Sequence, residues 1–173
     1  MMAWGLVAGI MVGLVIAFIL LRAANTNHRM KSDYDERQER IRGKAYMYAF
    51  YTMMIYEAAM VVLKAGEIVF PFEDYLAGFI GVILGCIVLG CYCIWHDVYW
   101  GLNNNRRRYY IIFGVIFALN LMPVVMQAAS GTLIQDGKIG LPMLNILVIF
   151  MLAVFGIELL IKHFTDRSRG EED

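Results

Sequence analysis

Charged residues are scarce in this sequence. They make up 17% of the 173 residues, whereas hydrophobic residues make up 60% and the mean hydropathy is +0.60. A soluble domain carries about a quarter charged residues and about half apolar ones. The scarcity of charge therefore excludes an ordinary soluble domain and indicates a membrane protein.

Histidine and cysteine are also few, and their positions exclude several kinds of site. None of the three histidines lies deep in an apolar block, which excludes a bis-histidine haem. All three cysteines lie within residues 75–95, so we expect no disulfide framework, and the pair Cys91-x-Cys93 lacks further ligands at metal-binding spacing. No Gly-rich phosphate loop occurs, and no Ser or Cys stands beside a plausible base. We therefore expect no enzymatic activity, no metal and no cofactor.

The apolar residues are concentrated in five blocks. Each block has 19 to 21 residues, and a helix of that length, at about 1.5 Å per residue, crosses a hydrocarbon core of about 30 Å. The predicted fold is all-α: a polytopic bundle of five transmembrane helices in a single domain, residues 1–163, followed by a short cytosolic tail, residues 164–173. The predicted spans are Ala3–Leu21, Ala45–Leu63, Tyr75–Trp95, Tyr109–Ala129 and Leu141–Ile161.

The distribution of Lys and Arg predicts the orientation. Thirteen of the fifteen lie in the first loop, the third loop or the tail, and the other two, Lys64 and Lys138, lie in the second and fourth loops. Basic loops are retained in the cytosol, so we expect the N-terminus outside and the C-terminus inside the cell (plasma) membrane. The cluster Arg106, Arg107, Arg108 is expected to contact lipid headgroups of the bilayer. It is too small and too close to the membrane to bind nucleic acid.

A dense mixed-charge segment, residues 32–44, is predicted to form a cytosolic helix that continues into the second span. Ser32 with Asp35, or Asp33 with Glu36, provides a helix-capping signature. Spacings of four residues predict the ion pairs Asp33–Arg37 and Glu36–Arg40. The segment is either a solvated extension that only sets the topology or a docking surface for a cytosolic protein. That surface would comprise Asp33, Asp35, Glu36, Arg37, Gln38, Arg40 and Arg42.

One motif in this segment resembles a known group of proteins. Asp35-Glu36-Arg37-Gln38, followed by Arg42-Gly43-Lys44-Ala45 and an aromatic run, resembles small bacterial multi-pass membrane proteins with an Asp-Glu-Arg-Gln box beside the membrane. The resemblance extends over residues 35–52 and not into the later spans. Some of these proteins are encoded beside small DNA-binding regulators, so the resemblance implies a cytosolic regulatory partner.

Small residues at helical spacing predict close helix packing. The first span has one at every fourth position, and the third span has a similar stripe; association of helices in lipid depends on such close packing. The partner of the first span is either another span of the same chain, which we favour, or the same helix of a second copy in a homo-oligomer. The packing residues are Gly5, Gly9, Gly13, Ala17, Gly81 and Gly85.

Glu57 lies well inside the second predicted span. An ionised carboxylate there costs about 2.5–3.5 kcal/mol, and Asn120 of the fourth span is predicted at a similar depth. Pro123, one turn beyond, has no N–H and frees the carbonyl of Leu119 at about the same depth as Glu57. These residues form either a structural contact between helices or an ion or proton site.

Two local features complete the prediction. Asp136-Gly137 is typical of a type I′ β-hairpin. Glu158 precedes Lys162 by four residues, which predicts an intrahelical ion pair.

For function we favour an interaction or regulatory membrane protein that presents the charged helix to a partner. The alternative is an oligomeric component of ion, proton or small-solute transport that uses the polar layer around Glu57 and Asn120.

Overall fold

The computed structural model of the chain describes residues 2–28 and 31–170, with described side chains over residues 11–13, 15–28 and 31–167. This part of the chain is mostly helical, with one short hairpin. The helices are α1 (Met2–Ala24), α2 (Glu36–Ala65), α3 (Leu76–Trp95), α4 (Arg106–Ala129) and α5 (Pro142–Gly170), and the strands are β1 (Ile134–Gln135) and β2 (Lys138–Ile139).

Four of these helices, α2 to α5, are long and apolar enough to cross a membrane. This confirms the prediction of a mostly helical fold with several helices long and apolar enough to span a membrane. The described side chains of α1 form a shorter apolar stretch, Met11–Ala24. Helix α4 continues through Pro123 without ending, and α2 runs without interruption from its charged first turns into its apolar part.

Helix α2 begins at Glu36 and not at Ser32, so the predicted start of the cytosolic helix is wrong. The Asp33 N–H donates to Asn103 Oδ1 at 2.8 Å, and the Asp33 carbonyl accepts from the Leu102 N–H at 2.8 Å. The carbonyl of Asp33 would accept the first intrahelical bond of a helix capped at that residue, and here it accepts from Leu102 instead. The capping signature at Ser32 is overridden by these tertiary contacts.

The chain divides into two compact units. The first comprises Met1–Asp35 and Trp100–Val115, and the second comprises Glu36–Tyr99 and Ile116–Asp173. In the second unit α3 packs against both α2 and α5. Most of the membrane-span-capable chain therefore belongs to one helical layer with α3 at its centre.

Glycines of α3 allow this close packing. A Cβ on Gly81 would lie 2.7 Å from Glu57 Oε1 and 2.8 Å from Tyr56 Cδ1, and one on Gly85 would lie 2.7 Å from Met53 Sδ. Gly81 and Gly85 are both buried. On the side of α3 that faces α5, a Cβ on Gly90 would overlap the Phe155 ring.

The small residues of α1 have a different environment. A Cβ on Gly13 would have nothing within 4 Å, and Ala17 is exposed. The surroundings of Gly5 and Gly9 lie outside the described side chains. The favoured packing of α1 on another span of the same chain is therefore not found at Gly13.

The predicted hairpin is confirmed. Strands β1 and β2 are antiparallel, with Gln135 paired to Lys138. Asp136 (φ 51°) and Gly137 (φ 76°) both have the positive φ that a type I′ turn requires. Ile139 also bonds to the second loop: its N–H donates to the Pro71 carbonyl at 2.9 Å, and its carbonyl accepts from the Glu73 N–H at 3.3 Å.

Candidate functional site

The first turns of α2 carry a row of exposed charged side chains, which we call the charged face of α2. In the part of the chain that the structure describes, none of them forms a hydrogen bond or an ion pair. The predicted ion pairs Asp33–Arg37 and Glu36–Arg40 are not formed, the first because Asp33 lies outside the helix. The charged face consists of Glu36, Arg37, Glu39, Arg40 and Lys44.

The opposite side of the same turns is packed. Ala45 is fully buried against Cys93 and Val98, with Ile41 alongside. Arg42 turns to the same side, where Nη1 donates to the Val98 carbonyl at 3.2 Å. These contacts fix the rotation of α2 about its axis and hold the charged face away from the packed side.

The predicted docking residues therefore divide into two groups. Glu36, Arg37 and Arg40 lie on the charged face, whereas Arg42 serves the packing of α2 on the end of α3. Asp33 belongs to the first unit and is engaged by the third loop. Asp35 and Gln38 also interact with other residues, so they are not freely available to a partner.

Like charges are grouped on the charged face. Arg37, Arg40 and Lys44 are separated by three and four residues, and such residues are neighbours along one side of a helix. Glu36 and Glu39 are likewise three residues apart and are neighbours on the helix. A basic stripe of this kind can form charge-assisted hydrogen bonds with carboxylates of a partner.

The first unit contains a network of asparagine side chains that sequence analysis missed. Asn25 is fully buried, and its Oδ1 accepts from Asn104 Nδ2 at 2.7 Å and from the Tyr109 hydroxyl at 3.1 Å. Asn103 Nδ2 donates to the Lys31 carbonyl at 3.1 Å. The signal that the sequence offers is the repetition of asparagine in two loops, at residues 25 and 27 and at residues 103–105.

The arginine cluster begins α4. Arg106 and Arg107 are exposed, as contact with lipid headgroups requires. Arg108 is partly engaged within the chain, since its Nη1 donates to the Ala23 carbonyl at 2.9 Å. Its N–H donates to Asn105 Oδ1 at 3.2 Å, which caps the first turn of α4.

The structure does not join the residues of the predicted polar layer. Glu57 lies on the side of α2 that faces α3, close to Gly78 and Gly81, and its carboxylate has no hydrogen bond or ion pair with any described residue. Asn120 Nδ2 donates to the Ile116 carbonyl of its own helix at 2.8 Å. Pro123 lies within α4, a turn further along.

A second carboxyl group in an apolar helix has no ion-pair partner. The predicted pair Glu158–Lys162 is wrong: Lys162 Nζ bonds to Asp97 Oδ2 at 2.9 Å and lies 3.5 Å from Asp166 Oδ1. Asp97 adopts a positive φ of 59° just after α3, and this brings its carboxylate to Lys162. Glu158 Oε2 is buried without a hydrogen-bond partner among the described residues, and the carboxyl lies beside the Cys91 thiol.

These features describe a helical protein with four membrane-span-capable helices and a charged face at the start of α2. Within the described residues, no group of three or more His, Cys, Asp or Glu side chains is arranged to hold a metal ion. Compared with family models, curated proteins and solved structures, the chain matches none of them. Its function must be inferred from its own residues.

Proposed function

We propose that the protein is a five-span protein of the bacterial cell membrane, with the N-terminus outside and the C-terminus inside, and that it binds a cytosolic protein through the charged face of α2. One observation supports this most directly. Glu36 and Arg40 have the spacing for an intrahelical ion pair and do not form one, although the packing of Ala45 holds their turn in place. The charged groups are therefore available to a partner on a helix whose rotation is fixed by packing.

The chemistry of the charged face favours an acidic partner surface. Arg37, Arg40 and Lys44 form the larger of its two stripes, and arginine binds carboxylates through two parallel hydrogen bonds. Exposed ion pairs contribute about 0.2–1 kcal/mol each, so several are needed together. Binding should weaken as salt rises, because the Debye length falls from about 10 Å at 0.1 M to about 3 Å at 1 M.

Site-specific photocrosslinking in living cells tests the proposal. Gly43 is a suitable position for the crosslinking residue, because a side chain there meets nothing within 4 Å and lies beside the charged face. Gly114 of α4 is the matched control: it is also a helical glycine with open space around it, but it lies in an apolar helix. We expect one recurring cytosolic protein at Gly43 and lipid alone at Gly114.

Charge reversal then separates a docking surface from a lipid contact. The double change Arg37→Glu and Arg40→Glu should abolish the protein crosslink at Gly43, and purified partner should bind the unmodified chain with an affinity that falls as salt rises. Crosslinks to lipid alone at both positions would mean that these charges serve only the topology, and the proposal would be wrong.

A second candidate function is supported by Glu57. Its carboxylate has no hydrogen-bond or ion-pair partner among the described residues, and unpaired carboxyls within membrane helices commonly lie on ion or proton paths. In this alternative an oligomer carries ions, protons or small solutes past Glu57. Proton or ion flux into proteoliposomes that is lost in Glu57→Gln, with the folded fraction unchanged, would favour transport over partner binding.

A further inference from the structure

The hairpin end of the second unit forms a cavity of about 440 Å³ that is open to the outside on one side. Its walls come from the second loop, the end of α4, the β-hairpin and the start of α5. Ligand pockets in proteins commonly have volumes of about 300–1,000 Å³, so the cavity is large enough for a small metabolite. Its polar lining consists of Glu73, Tyr75, Gln127, Thr132, Gln135 and Lys138.

Main-chain hydrogen bonds hold the two charged residues of this lining close together in space. The Glu73 N–H donates to the carbonyl of Ile139, the residue that follows Lys138. Lys138 is itself fixed by its pairing with Gln135 across the hairpin. Both charged side chains therefore project from a backbone held by hydrogen bonds.

Despite this proximity, the opposite charges do not pair. Among the described residues, Glu73 and Lys138 form no ion pair with each other or with any other group, although both are half-buried. The Tyr75 hydroxyl and the Gln127 side-chain amide also make no hydrogen bond with described residues. Glu73, Gln127 and Lys138 are half-buried, so each loses part of its hydration without a hydrogen bond or an ion pair in return, whereas Tyr75 is exposed.

We propose that this cavity binds a small zwitterion, a molecule that carries one ammonium and one carboxylate group. The ligand carboxylate pairs with Lys138 and the ligand ammonium with Glu73, and the Tyr75 hydroxyl and Gln127 amide bond to the remaining polar atoms. A zwitterion is favoured over a simple cation or anion because either alone would leave one of the two protein charges unpaired. This site is separate from the charged face of α2.

Calorimetric titration of the full-length protein in nanodiscs tests the proposal with glycine, L-glutamine and L-lysine, three zwitterions of different size. We expect at least one of them to bind saturably, with a dissociation constant below about 10 mM. N-acetylation of that ligand removes its ammonium, and conversion to the amide removes its carboxylate. Each modification should raise the dissociation constant about tenfold or more. A tenfold increase corresponds to a loss of about 1.4 kcal/mol of binding free energy.

Substitutions in the protein test whether Glu73 and Lys138 bind the two charged groups of the ligand. Glu73→Gln and Lys138→Met should each weaken binding about tenfold, whereas Asp136→Asn removes a charge from the same hairpin outside the cavity lining and should leave binding unchanged. Thermal unfolding of each variant verifies that it is folded.

Three results would overturn the proposal. The first is the absence of saturable binding by all three zwitterions, and the second is equal binding of the N-acetylated or amidated ligand. The third concerns an adjacent cavity of about 270 Å³, which Lys138 also lines together with Glu67 and Asp74. Binding that is lost in Asp74→Asn and kept in Glu73→Gln would place the ligand in that neighbouring cavity.

Discussion

Asn104 donates a hydrogen bond from Nδ2 to Oδ1 of Asn25 at 2.7 Å, across a sequence separation of 79 residues. This bond connects the loop that follows α1 with the loop that precedes α4. Asn25 is fully buried, so its carbonyl oxygen has no access to water as an alternative donor. The network around these two residues therefore makes the first unit depend on the identity of both side chains.

We predict that Asn104→Asp destabilises the protein. The substitution replaces the donor Nδ2 with a carboxylate oxygen, which faces Asn25 Oδ1 and cannot donate to it. Asn25 Oδ1 keeps its bond from the Tyr109 hydroxyl, but the bonds that Asn104 Nδ2 donates to Asn25 Oδ1 and Ser32 Oγ are lost. Because two acceptors then face each other and the new carboxylate loses part of its hydration, the free energy of unfolding should fall by about 1–3 kcal/mol. Unfolding in mixed micelles, titrated with SDS, measures the change.

The same substitution one residue further along is the control. Asn105 Oδ1 accepts from the Arg108 N–H at the start of α4, and aspartate caps a helix about as well as asparagine. Asn105→Asp should therefore leave the free energy of unfolding unchanged within about 0.5 kcal/mol. Equal losses in the two variants would contradict a stabilising role for the asparagine network.

Two helical glycines should respond to alanine in opposite directions. In Gly81→Ala the new Cβ would lie within 2.8 Å of Glu57 and Tyr56, and overpacking of this kind costs about 1–3 kcal/mol. In Gly43→Ala the new Cβ meets nothing within 4 Å, and alanine favours the helix by up to about 1 kcal/mol over glycine. SDS titration of both variants should give changes of opposite sign; changes of the same sign would contradict the packing of α2 on α3.

We expect Glu158→Met to stabilise the protein. The substitution removes a buried carboxylate oxygen that has no hydrogen-bond partner among the described residues, and methionine fills a similar space with apolar atoms. The free energy of unfolding should rise by about 1 kcal/mol or more. Glu39→Met, at an exposed position of α2, should change it by less than about 0.5 kcal/mol. A loss of stability in Glu158→Met would show that the carboxyl has an essential partner.

The orientation predicted from the Lys and Arg distribution can be tested with single cysteines. In a background with alanine at Cys86, Cys91 and Cys93, cysteine at Arg40 or Arg107 should react with a membrane-impermeant maleimide only in inside-out vesicles. Cysteine at Asp136 should react only in intact cells. All three positions are exposed, so accessibility depends on sidedness alone. Labelling of Arg40 and Asp136 from the same side would refute the predicted topology.

Local sequence features were sufficient to predict the long apolar helices and the hairpin. A block of about 20 apolar residues must form a helix in lipid because every main-chain polar group needs a partner within the segment. Asp136-Gly137 likewise suits the positive φ values of a type I′ turn through its own backbone preferences. Neither prediction depends on a distant part of the chain.

The pairing of polar side chains was decided only by the tertiary structure. Lys162 bonds to Asp97 and not to Glu158, because Asp97 adopts a positive φ after α3 and reaches α5. Residues 32–36 carry the capping signature, yet Asp33 bonds to the third loop and α2 begins at Glu36. Spacing in the sequence identifies which partners are within reach along one helix, whereas contacts between distant segments determine which of them are used.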